Sequence, residues 1–233
     1  MVVKKNRAKL RAFDRKTALL CIDLQKFCCT HTGGSFATID LHHPASGGYR
    51  MYFDRLNEVV VPAVSRLQST FRNAELEVIH LRIQSLTRDG RDRSAQHKRL
   101  GSLVFPGSLD SQFIEGVEPV GDEIVINKTS SGPFSSTNLD YVLMNLGIRT
   151  LVMTGVETSE CVESTARAAS DRGYDVVVVE DATAAASPVI QEASIESMRY
   201  TYAEVLSSEE VVSWMRGAKA SRITPDMGAV PGS

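Results

Sequence analysis

Residues 149–182 read RTLVMTGVETSECVESTARAASDRGYDVVVVEDA, and this stretch decides the fold. The runs Arg149–Gly155 and Asp175–Glu180 are apolar on both faces, which is typical of strands in a parallel sheet that helices cover on both sides. Between them, Cys161–Arg172 reads as a helix, and Gly173 is a helix-stop signal. A strand, a helix and a second strand in this order predict a right-handed crossover between parallel strands.

The same alternation extends in both directions along the chain. Further apolar runs occur at Thr17–Asp23, Glu75–Leu81 and Glu123–Asn127, and helical patterns at Asn57–Arg72, Asn138–Leu146 and Gln191–Tyr202. Alternating strands and helices predict an α/β fold, a three-layer α/β/α sandwich with a mostly parallel, Rossmann-like sheet. We expect one domain over residues 1–233, with its core at about 15–215 and an extension at each terminus.

Two internal segments and the C-terminal tail interrupt this pattern. His31–Tyr52 contains four glycines and the pair His42–His43, and Thr87–Pro106 is rich in charged residues. Both are predicted as long surface loops, which often serve as lids or binding loops. The tail Lys219–Ser233 is predicted to be frayed or to make subunit contacts.

Composition excludes several classes of protein. A formal net charge of -2 and a pI near 6.2 leave no basic excess to neutralise a nucleic-acid backbone. No apolar run approaches the length that spans a bilayer, so we expect no membrane partner. The four cysteines (Cys21, Cys28, Cys29 and Cys161) show neither a disulfide framework nor a metal-ligand spacing. We therefore expect a cytoplasmic protein with free thiols.

Three polar residues occupy the carboxyl ends of predicted strands, where reactive groups gather in a parallel sheet. Asp23, Lys128 and Cys161 would supply a base, a cation and a nucleophile for acyl transfer. The start of a helix favours a thiolate at Cys161. Each residue also has an ordinary structural interpretation. Cys161 suits a buried thiol, Asp23 a loop or cap partner, and Lys128 a solvated lysine.

Three segments resemble the isochorismatase-like cysteine hydrolases. They are ALLCIDLQ at 18–25, NKTSSGPFSSTNLDYVLMNLGI at 127–148, and the stretch from Leu151 to Ala182. This superfamily contains nicotinamidases and hydrolases of N-carbamoylsarcosine, ureidoacrylate, biuret and triuret. The resemblance covers roughly residues 15–215 and implies Cys161 as the nucleophile, Asp23 as the general base and Lys128 as the cation beside both.

The resemblance also implies an oxyanion site and the absence of a cofactor. The peptide bond before Glu157 is expected to be cis, so that the N–H groups of Glu157 and Cys161 hold the oxyanion. Isochorismatases that cleave a vinyl ether usually lack the cysteine, so Cys161 favours cleavage of a carbon–nitrogen bond. The Asp-x-His-x-x-His metal pattern of nicotinamidases is missing from the sequence, so we expect no metal.

The expected substrate is a small ureido or carbamoyl compound of the biuret, triuret, ureidoacrylate or N-carbamoyl amino acid type. Nicotinamidase-type or isochorismatase-type hydrolysis and a catalytically silent member are the alternatives. Relatives are usually homo-oligomers, often tetramers, and we expect a homo-oligomer here. The residues proposed to bind the substrate are Phe27, Arg82, Asn127, Thr201 and Tyr202. Phe27 fits a pocket wall or the core equally, and Arg82 fits a substrate contact or a structural ion pair equally.

Overall fold

A computed structural model describes residues 13–34, 36–43 and 46–223, with only the backbone of 218–223. Its sheet has six parallel strands in the order β3-β2-β1-β4-β5-β6. These strands are β1 (Thr17–Ile22), β2 (Val78–Ile83), β3 (Ile124–Lys128), β4 (Thr150–Val156), β5 (Asp175–Ala184) and β6 (Glu204–Leu206). Every residue of β1 and β4 is buried, as expected for central strands that are covered on both faces.

Helices cover both faces of the sheet and complete the predicted three-layer α/β/α sandwich. They are α1 (Lys26–Cys29), α2 (Gly47–Arg55), α3 (Val61–Arg72), α4 (Ala95–Arg99), α5 (Pro133–Ser136), α6 (Leu139–Asn145), α7 (Glu163–Asp171), α8 (Pro188–Thr201) and α9 (Ser208–Ile223). Helix α3 packs against α9, while α7 packs against α5 and α8. Within the described ranges, no helix is both long and apolar enough to cross a membrane.

The register of the sheet brings the carboxyl ends of its central strands to one edge. Ile22 at the end of β1 pairs with Leu81 of β2 and Gly155 of β4, and Ile83 pairs with Lys128 of β3. Gly155 has a φ of 111°, and a Cβ placed there would lie 1.9 Å from the carbonyl oxygen of Ile22. Only glycine lets β4 pass this close to β1 at the edge.

The two segments predicted as loops contain helices. Helix α2 begins at Gly47, because Tyr52 and Phe53 find buried positions against the ring of Phe36. Burial of this aromatic cluster outweighs the low helix propensity of the two glycines with which α2 begins. The loop after β2 likewise contains the short helix α4, capped by the Ser94 hydroxyl, which accepts the N–H of His97.

The described part of the chain ends in a helix. Helix α9 continues to Ile223, five residues into the segment predicted to be frayed or to make subunit contacts. The expectations for the rest of that tail and for an N-terminal extension concern residues 224–233 and 1–12, which lie outside the described part of the chain.

Candidate active site

Asp23 follows β1 directly and is fully buried. Its φ of 54° is left-handed, a conformation that aspartate tolerates better than most residues. Its backbone N–H donates to the carbonyl of Leu81 at 2.9 Å, and its own carbonyl accepts the N–H of Gln25 at 2.8 Å. The chain therefore turns sharply at the sheet edge with the Asp23 carboxyl held inside the protein.

Gln25 fixes this turn, a role that sequence reasoning missed. Its fully buried side chain donates to the carbonyls of Ile83 and Asp110, each at 3.0 Å, and accepts the N–H of Ile83 at 2.6 Å. The available signal was a glutamine two residues after an aspartate, at the end of an apolar strand. A buried amide in that place must find hydrogen-bond partners, and here it joins β1 to β2.

Lys128, the last residue of β3, is fully buried, and its ammonium group makes two hydrogen bonds and one ion pair. Its Nζ lies 2.8 Å from the Oδ2 of Asp23, 3.2 Å from the Sγ of Cys161 and 3.1 Å from the carbonyl oxygen of Ser130. The buried cation therefore has a carboxylate, a thiol and a carbonyl around it. The structure thus brings the three predicted residues together, and we call Asp23, Lys128 and Cys161 the rim cluster.

Cys161 is buried in a π-helical turn, Thr158–Val162, that leads into α7. The carbonyl of Glu157 accepts hydrogen bonds from the N–H groups of Glu160 at 3.1 Å and Val162 at 3.2 Å. The N–H of Cys161, which lies between them in the chain, does not bond to this carbonyl. The Val156–Glu157 peptide bond is cis, as the resemblance implied. The assignment of the oxyanion to the N–H groups of Glu157 and Cys161 stays a prediction.

Burial dominates the proton affinities in the rim cluster. It raises the pKa of the Cys161 thiol, the charge of Asp23 raises it further, and Lys128 lowers it only in part. Burial also raises the pKa of Asp23 against the opposing charge of Lys128. For Lys128, burial lowers the pKa, but the negative partners outweigh burial and leave it raised. Burial thus opposes the lowering of the Cys161 pKa that the start of a helix was expected to give, and it makes the carboxyl of Asp23 more basic.

Helix α4 is tied to the loop that follows Lys128. The N–H of Ser94 donates to the carbonyl of Thr129 at 2.9 Å, and the hydroxyl of Ser131 donates to the Oε1 of Gln96 at 3.1 Å. His97 of this helix is buried, and its pKa is lowered to about 4, first by burial and then by the charges of Lys128 and Arg93. A neutral imidazole therefore lies near the rim cluster.

Arg82 and Asn127, both predicted to bind substrate, contact each other. Arg82 donates from its Nε to the Oδ1 of Asn127 at 2.7 Å and from a terminal nitrogen to the carbonyl of Ser111 at 2.9 Å, while its guanidinium lies 5.4 Å from the ring centre of Phe113. Alternation along β3 directs Asn127 and Lys128 to opposite faces of the sheet. The planar group of Arg82 is thus occupied by an amide and a carbonyl.

The structure does not bring Thr201 and Tyr202 to the rim cluster. They lie at the end of α8, which begins at the carboxyl edge of the sheet and spans roughly 21 Å before β6 starts. Tyr202 instead packs beneath Arg167, whose guanidinium is 4.2 Å from the ring centre. Phe27 is buried in α1 with the backbone of Gly34 against its ring.

Three titratable side chains beside the rim cluster were absent from the predicted site. Cys29 donates from its Sγ to the carbonyl of Asp23 at 3.6 Å, and the buried hydroxyl of Tyr52 donates to the carbonyl of Cys28 at 2.9 Å. The third is Glu157, four residues before Cys161, whose carboxyl has its pKa raised to about 7, first by burial. Sequence reasoning considered only the backbone of Glu157, although an acid between a buried strand and a reactive turn is a detectable signal.

The chain is similar in sequence and structure to several known proteins. Residues 17–210 match the Isochorismatase domain family. A cysteine hydrolase from Pseudomonas syringae pv. phaseolicola is 25% identical over 89% of this chain and 96% of its own, with a TM-score of 0.74. An isochorismatase family protein from Desulfovibrio vulgaris is 26% identical over 87% and 100%, with a TM-score of 0.69. An N-carbamoylsarcosine amidase from Thermoplasma acidophilum is 26% identical over 83% and 96%, with a TM-score of 0.61.

Proposed function

The chain belongs to the isochorismatase family, and from this membership we propose that it is a cysteine amidohydrolase acting on a small ureido or carbamoyl compound. Membership and the neighbouring cysteine hydrolase support hydrolase chemistry in general. The finer proposal, cleavage of a carbon–nitrogen bond, is supported by one contact above all. The Lys128 ammonium is bonded at once to the carboxylate of Asp23 and the thiol of Cys161.

In the proposed mechanism, Asp23 is the base that activates the thiol. The raised pKa of its carboxyl makes it a stronger base than an exposed aspartate. It takes the proton of Cys161 as the Sγ attacks the substrate carbonyl. Lys128 keeps its proton and stabilises the thiolate as it forms, since its charge lowers the pKa of Cys161.

The remaining steps return that proton and release both products. The N–H groups of Glu157 and Cys161 would hold the tetrahedral oxyanion, and loss of one such donor typically costs on the order of 10²–10³ in rate. Asp23 passes its proton to the leaving nitrogen, the carbon–nitrogen bond breaks, and ammonia or an amine departs. Water, deprotonated by Asp23, then attacks the acyl or carbamoyl thioester and restores the thiol.

Substitution of the proposed nucleophile is the direct test. We expect Cys161→Ala and Cys161→Ser to lower ammonia release by about 10³-fold or more, because no other thiol contacts Lys128 in the described chain. The matched control is Cys21→Ala, which removes a buried thiol of β1 that contacts Gln68 and not Lys128. Ammonia release that survives both changes at Cys161 would contradict the proposal.

A panel of biuret, an N-carbamoyl amino acid, a simple primary amide and isochorismate tests the bond that is broken. We expect ammonia from the ureides, and no loss of that activity after treatment with a chelator. Pyruvate from isochorismate without ammonia from any ureide would replace the proposal with vinyl ether hydrolysis.

A further inference from the structure

Thr158 begins the π-helical turn that contains Cys161, and its side chain is bonded to helix α8. Its fully buried hydroxyl donates to the Oε1 of Gln191 at 2.6 Å. Gln191 lies in the first turn of α8, a helix that packs against the π-helical turn. The carbonyl of Thr158 accepts the N–H of Glu163 at the start of α7. The hydroxyl therefore ties the first residue of the turn to a separate element of the fold.

The amide of Gln191 is itself held by the sheet. Its Nε2 donates at 3.2 Å to the hydroxyl of Thr183, a fully buried residue of β5 that pairs with Gly155 of β4. The Thr183 hydroxyl directs its one proton to the carbonyl of Glu180 at 3.4 Å, so its oxygen accepts from the Nε2. This determines which way the amide faces and leaves its Oε1 to accept the proton of Thr158.

Arg55 holds the segment of β5 to which Gln191 is bonded. It donates from its Nε to the carbonyl of Thr183 at 2.9 Å and from a terminal nitrogen to the carbonyl of Glu180 at 2.6 Å. The register between β4 and β5 is irregular at this level of the sheet. Two hydrogen bonds from a charged donor thus stabilise the segment where the regular ladder is interrupted. The anchor of Gln191 is therefore part of the carboxyl edge of the sheet.

The shape of the π-helical turn makes such an anchor necessary. The N–H of Val162 bonds to a carbonyl five residues earlier, whereas an α-helix closes its bonds over four residues. Turns of this kind are rare, and they are found frequently at functional sites. One side chain of the turn, Cys161, meets Lys128 at 3.2 Å, and another, Thr158, meets Gln191. The second contact therefore helps to fix the geometry of the first.

We propose that Gln191 is a positioning residue, which acts through Thr158 to hold the Sγ of Cys161 beside Lys128. This inference rests on the proposed function, because it gives Gln191 a part in the same reaction. A displacement of about 1 Å can cost on the order of 10²-fold in rate, so a hydrogen bond outside the rim cluster can control turnover. Because Gln191 acts on the thiol and not on the substrate, kcat should change more than KM.

The test measures the reactivity of Cys161 itself, without any substrate. Alkylation by iodoacetamide at neutral pH is followed by mass spectrometry of the peptide that contains Cys161. Gln191→Ala should lower the rate constant about tenfold, because the thiolate loses contact with the ammonium of Lys128. On a ureide, the same variant should show kcat lowered about 10–100-fold, with KM changed less than threefold. Gln191 also lines a groove of about 600 Å³, so water can fill the space it leaves and the variant should fold.

Two control variants in α8 separate positioning from a structural role. Ser194→Ala removes another hydrogen bond between α8 and α7, in which the Ser194 hydroxyl donates to a carboxyl oxygen of Glu163 at 2.7 Å. It should lower the free energy of unfolding about as much as Gln191→Ala, but should change the alkylation rate of Cys161 less than twofold. Glu192→Ala, at an exposed position next to Gln191, should change neither quantity.

Thr158→Val removes the hydroxyl from the other side of the contact and keeps the shape of the side chain. It should slow alkylation of Cys161 as much as Gln191→Ala does, and the double variant should be no slower than either single one. Thr158→Ser, which keeps the hydroxyl, should stay within threefold of the wild type. Poor folding of one single variant would still leave the other as a test.

Alkylation of Cys161 at the wild-type rate in Gln191→Ala or in Thr158→Val would overturn the inference. Independent, multiplying effects of the two changes would overturn it as well, and so would an equal loss of reactivity in Ser194→Ala. Failure of the wild type to release ammonia from any ureide would contradict the proposed function, while the alkylation rates would still decide whether Gln191 positions the thiol.

Discussion

An ion pair lies at each end of β3, fully buried at one end and partly buried at the other, and the two pairs differ in what surrounds the carboxylate. At the carboxyl end, Asp23 meets Lys128 in the rim cluster. At the amino end, Glu123 meets Arg72 and His80, a set that we call the Glu123 cluster. Both clusters bind the same sheet together.

Hydrogen bonding separates the two carboxylates. Glu123 accepts two bonds from Arg72 at 2.7 and 3.0 Å, one from the N–H of Val120 at 2.9 Å, and contacts the Nε2 of His80 at 3.0 Å. Burial alone would raise the pKa of Glu123, but these donors lower it to about 2. The pKa of Asp23 is raised, because burial outweighs the single ammonium and the thiol beside it. A carboxylate with many donors is structural, and one with few can accept a proton.

The largest expected effect is on turnover and concerns the rim cluster. Asp23→Asn should lower kcat on the preferred ureide by about 10²–10⁴-fold, because the amide cannot take the thiol proton. The fold should persist with reduced stability, because asparagine tolerates the left-handed backbone but leaves the buried Lys128 without its carboxylate. Steady-state kinetics together with thermal unfolding of the same sample measure both quantities. An unchanged kcat would place the base elsewhere.

The corresponding replacement of a carboxylate by an amide in the Glu123 cluster should affect stability rather than turnover. Glu123→Gln should lower the free energy of unfolding by about 2–4 kcal/mol, because Arg72 loses its carboxylate in a partly buried place. Its kcat/KM should stay within threefold of the wild type. Urea unfolding and kinetics at a single pH measure these quantities, and a large loss of kcat without loss of stability would erase the contrast between the two ends of β3.

The Glu123 cluster should make the free energy of unfolding depend on pH in the acidic range. The pKa of Glu123 is lowered from 4.5 to about 2, so the folded state binds fewer protons than the unfolded state between these values. Burial also lowers the pKa of His80, which acts in the same direction below about pH 6.5. The free energy of unfolding should therefore decrease as the pH drops through this range. In urea unfolding, Glu123→Gln should make this decrease smaller below pH 4.5. An unchanged slope would remove Glu123 as its cause.

Glu157 should give the smallest effect, with the opposite sign. Its pKa is raised from 4.5 to about 7, so the folded state binds more protons in that window, and stability decreases as the pH rises through it. The loss is on the order of 2 kcal/mol after allowance for partial exposure. Glu157→Gln should remove this slope, as urea unfolding at pH 5 and pH 8 would show. Persistence of the slope in the variant would assign it to another group.

The strands and the rim residues could be read from the sequence because both follow from periodicity. Apolar runs located five of the six strands, and the residues that follow parallel strands meet at one edge whatever the loops do. Strand β6 was missed because its three residues, Glu204–Leu206, are too few for a pattern. Helix α2 was missed because its stability depends on Phe36, an aromatic contact that local sequence does not reveal.

The substrate-binding assignments stay predictions, because they depend on the directions of side chains, which the local sequence does not determine. Arg82 lies at the predicted strand end, but alternation and a neighbouring amide decide what it contacts. The distance of Thr201 and Tyr202 from the carboxyl edge of the sheet follows from the length of α8. The sequence pattern predicted this helix from Gln191, whereas it begins at Pro188. The raised pKa of Cys161 follows first from its burial, which the local sequence pattern does not reveal.

The π-helical turn Thr158–Val162 determines how the rim cluster can be gained or lost by a change in the length of the chain. Such a turn is an α-helical turn that carries one additional residue. In an α-helix each residue advances by about 100° around the axis. Deletion of Ser159 alone would restore α-helical phase and rotate the thiol of Cys161 away from Lys128. A single codon therefore separates a sheet edge that carries the proposed nucleophile from one that ends in an ordinary helix.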